Sequence, residues 1–317
     1  MLAEFIITPD IFSASDDTLR GRLSELREVL LPRGSPPKFL ICQLGSDNWQ
    51  TAVGAKIAAI RNSELRSNAQ SLFERIVAEV SVVRPLSIDE APMSESDWIS
   101  VGERSSRQIA LDGIVVSESR SVTELVFPVE KFVSDEYCDR FPNPRFVART
   151  EESQITSLRT ICLHSDWMIL RLPQIRGGVD DEIVTLKQVL KLASTRLPGQ
   201  TKCSVELHVC RQEKIPDDRL RSSIEDELSG FLNNLSEVNV KFFPEKAFTD
   251  RQVFAGEWAP MPNDHRSRRV RWLVTMTHVA IGKRRESSSE PCTWSLFDRK
   301  SAHARLKQIE ESFLANK

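Results

Sequence analysis

Short apolar runs alternate with amphipathic helical spacings along most of this chain, and that alternation restricts its fold more than any other feature. Phe5-Ile6-Ile7, the run from Phe39 to Cys42 and Gly113-Ile114-Val115-Val116 read as strands. Between the first two, Leu19, Leu23, Leu26 and Leu30 recur three to four residues apart before Pro32-Arg33-Gly34 stops the helix. Further helical patterns run through Ile57 and Ile60, through Leu65, Leu72, Phe73, Ile76 and Val80, and from Ser94 to Ala110. Strands and helices in this alternation point to an α/β layer around a mostly parallel sheet, here read as β-α-β-α-α-α-β.

From Pro128 to Pro144 the periodicity fades, and three prolines with several charges read as a connection between domains. The alternation then resumes. Strands are expected at 166–172, 203–210 and 238–243, and a long β-rich stretch at 271–281. Helices are expected at 180–194, on a stripe of Ile183, Leu186, Val189, Leu190 and Ala193, at 217–235 and at 301–314. With 317 residues and roughly 100–200 per domain, the expected organisation is two α/β domains, residues 1–127 and 146–317, joined by a linker at 128–145.

Composition excludes several classes. Hydrophobic residues are 40% and charged residues 28%, with a mean hydropathy of -0.30, which fits neither a membrane-embedded nor a disordered chain. The start, MLAEFIITPDIF, lacks a basic stretch and meets Pro9 early, so no secretory signal, no membrane and a cytoplasmic location are expected. Cys42, Cys138, Cys162, Cys203, Cys210 and Cys292 show no CxxC spacing, which argues against a zinc ribbon or a disulfide framework. Cys162, Cys203 and Cys210 alternate with apolar residues and read as small buried hydrophobes. His164, His208 and His303 have no companion at metal-ligand spacing, so neither metal nor cofactor is expected.

The net charge of -2 excludes a globally basic nucleic-acid binder but leaves room for a local patch. Residues 266–285 supply one. Arg266, Arg268, Arg269, Arg271, Lys283, Arg284 and Arg285 fall there without an acid. They flank a strand-like alternation of about 11 residues, which sets the clusters roughly 35 Å apart. That separation suits the backbone track of DNA or RNA; solvated strand ends guarded by charge are the alternative. Trp258 and Trp272 either stack on bases or pack, and His278, in phase with Trp272, Val274 and Met276, reads as a buried histidine.

Three further motifs lie in the same half: WMILRLPQIRGGVDDEIVTLKQVL, then Thr249-Asp250-Arg251, then Ser295-Leu296-Phe297-Asp298 after a long β stretch. With them the chain from about Phe146 onward resembles the phospholipase-D-like fold, in the branch found at the carboxy terminus of MIT-domain proteins. In that branch a His-Asp-Arg triplet stands where this chain has Thr249-Asp250-Arg251. Active phospholipase-D enzymes attack phosphorus with the His of H-x-K-x4-D. Here His278 is followed by Val279 and Ala280, and His303 by Ala304 and Arg305. The resemblance therefore implies phosphate recognition without hydrolysis, with Arg251 joining the basic residues. By analogy it implies a scaffold or binding subunit of a bacterial defence or DNA-maintenance complex, with a protein partner.

The amino-terminal half offers a catalytic alternative. Asp10 follows the first strand, Asp97 lies near a helix start, and Asp112 and Glu118 flank residues 113–116. This is loosely similar to a PIN-like nuclease, in which acids at the carboxyl ends of parallel strands hold divalent metal. Asp10 reads equally well as a turn residue after Pro9. A third reading is a pure protein-interaction subunit whose basic residues pair with acids elsewhere.

Overall fold

The computed structural model describes residues 2–45, 47–84, 92–118, 123–148, 150–172, 181–195, 202–213, 215–232, 235–248, 252–258, 270–277 and 292–315. They form two compact units, one from Leu2 to Pro142 and one from Asn143 onward. Both are α/β. Among the described residues no helix is long and apolar enough to cross a membrane.

The first unit runs β1 (Ala3–Ile7), α1 (Asp16–Leu30), β2 (Phe39–Leu44), α2 (Asp47–Ala58), α3 (Ser63–Glu79), β3 (Ser81–Arg84), α4 (Glu95–Gln108), β4 (Gly113–Val116), β5 (Val126–Pro128), α5 (Val129–Phe132) and α6 (Asp135–Cys138). Its five strands lie in the order β3-β2-β1-β4-β5, and every pairing is parallel. The leucine stripe of α1 is buried as its spacing requires, with Leu26 and Leu30 fully so. β3 and β5 are additions to the expected β-α-β-α-α-α-β order. Gly102 lets α4 lie close to β1 and β4, since a Cβ there would stand 2.8 Å from the Ile114 side chain.

The expected linker at 128–145 is not a linker over most of its length. Val129, Phe132 and Tyr137 are buried, and the rings of Phe132, Tyr137 and Phe141 lie 5.1, 6.1 and 5.9 Å from that of Phe5. Neighbouring residues of a strand point to opposite faces, so these rings cover the face of β1 opposite the one that Ile6 presents to α4. The prolines and charges that suggested a connection sit between aromatic residues of a core.

The second unit runs β6 (Arg145–Val147), α7 (Glu151–His164), β7 (Trp167–Arg171), α8 (Asp181–Ser194), β8 (Ser204–Cys210), α9 (Asp217–Leu232), β9 (Glu237–Phe243), β10 (Gln252–Trp258), β11 (Val270–Thr277), β12 (Cys292–Leu296) and α10 (Arg299–Ala315). One seven-stranded sheet takes the order β6-β12-β11-β10-β7-β8-β9. β7, β8 and β9 are parallel neighbours, so Ile169, Val205 and Val240 lie on adjacent strands with α8 and α9 as crossovers. β10, β11, β12 and β6 continue the sheet antiparallel. Helix α10 packs Ala302, Leu306 and Ile309 on Trp167, Ile169 and Phe254, with Phe297 at the margin. Asp298 accepts a hydrogen bond from the Ser301 N–H at 3.0 Å, so Phe297-Asp298 packs and caps one helix. Cys162 and Cys203 are buried, as expected, whereas Cys210 is half-exposed.

Candidate anion site at a strand edge

Of the basic residues singled out in the sequence, Arg251, Arg266, Arg268, Arg269, Lys283, Arg284 and Arg285 lie outside the described residues, as do Thr249, Asp250 and His278. Arg271 and Trp272 belong to β11 and Trp258 to β10. The described part of β11, Val270–Thr277, has eight residues; the rest of the expected strand lies outside the described residues.

The described part of the same sheet holds a polar row that sequence reasoning missed. Arg171, the last residue of β7, pairs in register with His208 of β8 and with Gln252 of β10, and His208 pairs with Lys241 of β9. Residues opposite one another in register present their side chains to one face. Here that face carries Ile169 and α10. Because β7, β8 and β9 run parallel, the row lies toward their carboxyl ends, where open α/β sheets place ligands. A single signal was available: one arginine inside the apolar run WMILRL, in a strand buried on both faces.

Arg171, His208 and Gln252 are 1%, 2% and 2% exposed. The Arg171 guanidinium donates from Nη2 to the Ala247 carbonyl at 2.6 Å and stands 5.5 and 4.9 Å from the ring centres of Phe243 and Phe248. Nε and Nη1 are buried without a hydrogen-bond partner. Burial, and then the charge of Arg305, lower its pKa to about 10, which still leaves it cationic at neutral pH. His208 Nε2 meets Glu206 Oε2 at 3.3 Å, and its ring lies 4.6 Å from that of Phe243. Burial lowers its pKa to about 4; the hydrogen bond and charge of Glu206 oppose the shift, while Arg171 and Lys241 add to it. Glu206 also accepts from Lys241 Nζ at 2.7 Å. His208 Nδ1 and Gln252 Oε1 are buried without partners.

The carboxyl edge of the first sheet is arranged differently. Glu95, at the start of α4, accepts from Thr8 Oγ1 at 2.6 Å, from the Ser117 N–H at 2.6 Å and from Ser117 Oγ at 2.9 Å. It clamps the ends of β1 and β4 to a helix. Trp49 Nε1 donates to the Ile7 carbonyl at 2.6 Å, and Asp10 pairs with Lys56 at 2.5 Å. Two acids of the nuclease reading, Asp97 and Asp112, are engaged in local contacts. Asp97 closes the capping box of α4 with Ser94, and those hydrogen bonds lower its pKa. Asp112 accepts from the Glu4 N–H at 2.7 Å at the opposite, amino end of β4. Among the described residues no group of three or more His, Cys, Asp and Glu is placed to hold a metal ion.

No family model matches the chain, and no curated protein matches it. Solved structures that do match include the crystal structure of polyphosphate kinase from Porphyromonas gingivalis, at 12% identity and a TM-score of 0.28, over 83% of this chain and 48% of that one. The chain thus spans about half the length of that protein, and a likeness at that TM-score assigns neither fold nor function.

Proposed function

We propose that the protein is a two-domain, non-catalytic subunit that recognises nucleic-acid phosphate, with a phospholipase-D-like carboxy-terminal domain. Arg171 carries this reading. It is a guanidinium 1% exposed, with two N–H positions unpartnered and no described carboxylate against it. A buried cation is costly unless paired, and a phosphate oxygen is a partner that guanidinium geometry suits. Its place at the carboxyl edge of parallel strands supports a ligand there. The basic residues of 266–285 supply charge for a polymer beyond one phosphate. The missing H-x-K-x4-D motif removes the nucleophile for hydrolysis.

The test is fluorescence anisotropy with DNA and RNA 20-mers at increasing salt. Log affinity should fall against log salt with a slope near 0.9 per duplex phosphate contacted. Replacing Arg268, Arg269, Lys283 and Arg284 by Ala should flatten that slope by up to about four contacts. Arg171→Met should weaken binding by about tenfold or more. The reading fails if the wild-type protein binds neither polymer in low salt, or if the quadruple variant keeps its slope. The basic segment then belongs to a protein interface.

A further inference from the structure

The unpartnered atoms of the polar row differ in kind. Arg171 offers donors at Nε and Nη1, while its register neighbours offer His208 Nδ1 and Gln252 Oε1. Glu206 is a carboxylate that only accepts, so its contact with His208 Nε2 places the ring proton there and leaves Nδ1 with a free lone pair. Open donors therefore stand between two open acceptors.

We propose that this row takes a phosphomonoester, a phosphate at the end of a chain, in preference to the phosphodiester of a strand interior. The proposal rests on the phosphate reading above and adds which kind of phosphate is read. A diester has acceptors only: it satisfies Arg171 but sets anionic oxygens against the Nδ1 lone pair and the amide oxygen. A monoester brings the same anionic oxygens together with an ionisable hydroxyl whose pKa lies near 6. Its P–O⁻ accepts from Arg171, and its P–OH donates to His208 or Gln252. Burial argues the same way. A diester requires the chain to leave on two sides, whereas an end requires one, and all three groups are 2% exposed or less.

The experiment uses the full chain and two matched pairs: an oligonucleotide with and without terminal phosphates, and a nucleoside with and without its 5′-phosphate. Isothermal titration should show the phosphorylated member of a pair binding about tenfold or more tighter. A preference in the oligonucleotide pair identifies a strand end as the source; one confined to the nucleoside pair identifies a free nucleotide. His208→Leu should reduce the preference toward parity. Should that variant fail to fold, Gln252→Leu, which removes an acceptor without changing charge, reads the same effect. The proposal is overturned if phosphorylation raises affinity in neither pair while the oligonucleotide still binds. Absence of all binding would overturn the phosphate reading with it.

Discussion

Arg84 and Arg171 each close a strand, β3 in the first unit and β7 in the second, and each is 1% exposed. Their surroundings are opposite. Arg84 grips both oxygens of Glu4, at 2.6 and 2.7 Å, and gives Nη1 to the Ile109 carbonyl at 2.6 Å. Burial pulls its pKa down, but the charge and hydrogen bonds of Glu4 more than offset this and the pKa is raised. Arg171 has one carbonyl, two aromatic faces and a lowered pKa. The first unit satisfies its buried charge internally, as its carboxyl edge does with Glu95. In the second, Nε and Nη1 of the buried arginine have no partner among the described residues. Burial alone does not distinguish the two arginines; their partners do.

The comparison breaks most directly through the arginines themselves. Arg84→Met should lower stability by about 3–5 kcal/mol, because it strands the Glu4 carboxylate in the core. Arg171→Met should leave stability unchanged or raise it, by up to about 4 kcal/mol, because it removes a buried charge without orphaning an acid. Urea unfolding of the two variants measures both. Equal losses would make Arg171 structural and erase the contrast.

A second measurement sharpens it through pH. His208 has a folded pKa of about 4 against an ordinary 6.5, so the unfolded chain binds the extra proton between those values. Its contribution is present above about pH 6.5, declines as pH falls to about 4, and amounts to about 3 kcal/mol. His208→Leu should flatten the stability curve in that window relative to wild type. A smaller effect is expected in the first unit. Glu95→Ala leaves the Thr8 hydroxyl and the Ser117 N–H without their acceptor and should cost about 1–3 kcal/mol. DNA and RNA affinity should not change, and a loss of binding in that variant would place the ligand at the wrong sheet.

Several of the long periodic elements, though not α7 or β10, were legible in the sequence because their signal is local. The leucines of α1 and the stripe of α8 are buried where spacing put them. β3, β5 and β6 were not, since strands of three or four residues are too short for alternation to show. They exist through pairing with distant neighbours. The polar row escaped for the same reason. His208 has only Glu206 near it in the chain, and Arg171, Lys241 and Gln252 join its row only through strand register. Phe132, Tyr137 and Phe141 were legible in principle as aromatic residues within a supposedly solvated segment, but Pro128, Pro142 and Pro144 outweighed them.

The aromatic cover on Phe5 decides where the chain can be cut. A fragment ending at residue 127 discards Phe132, Tyr137 and Phe141 and exposes the face of β1 they shield. At about 1.5–3 kcal/mol for each fully buried ring, and less for the half-buried Phe141, the loss is comparable to the lower part of an ordinary domain's stability, about 5–15 kcal/mol. Expression of the first unit by itself therefore has to extend through Pro142, and a shorter product would offer an apolar sheet face to other copies of itself.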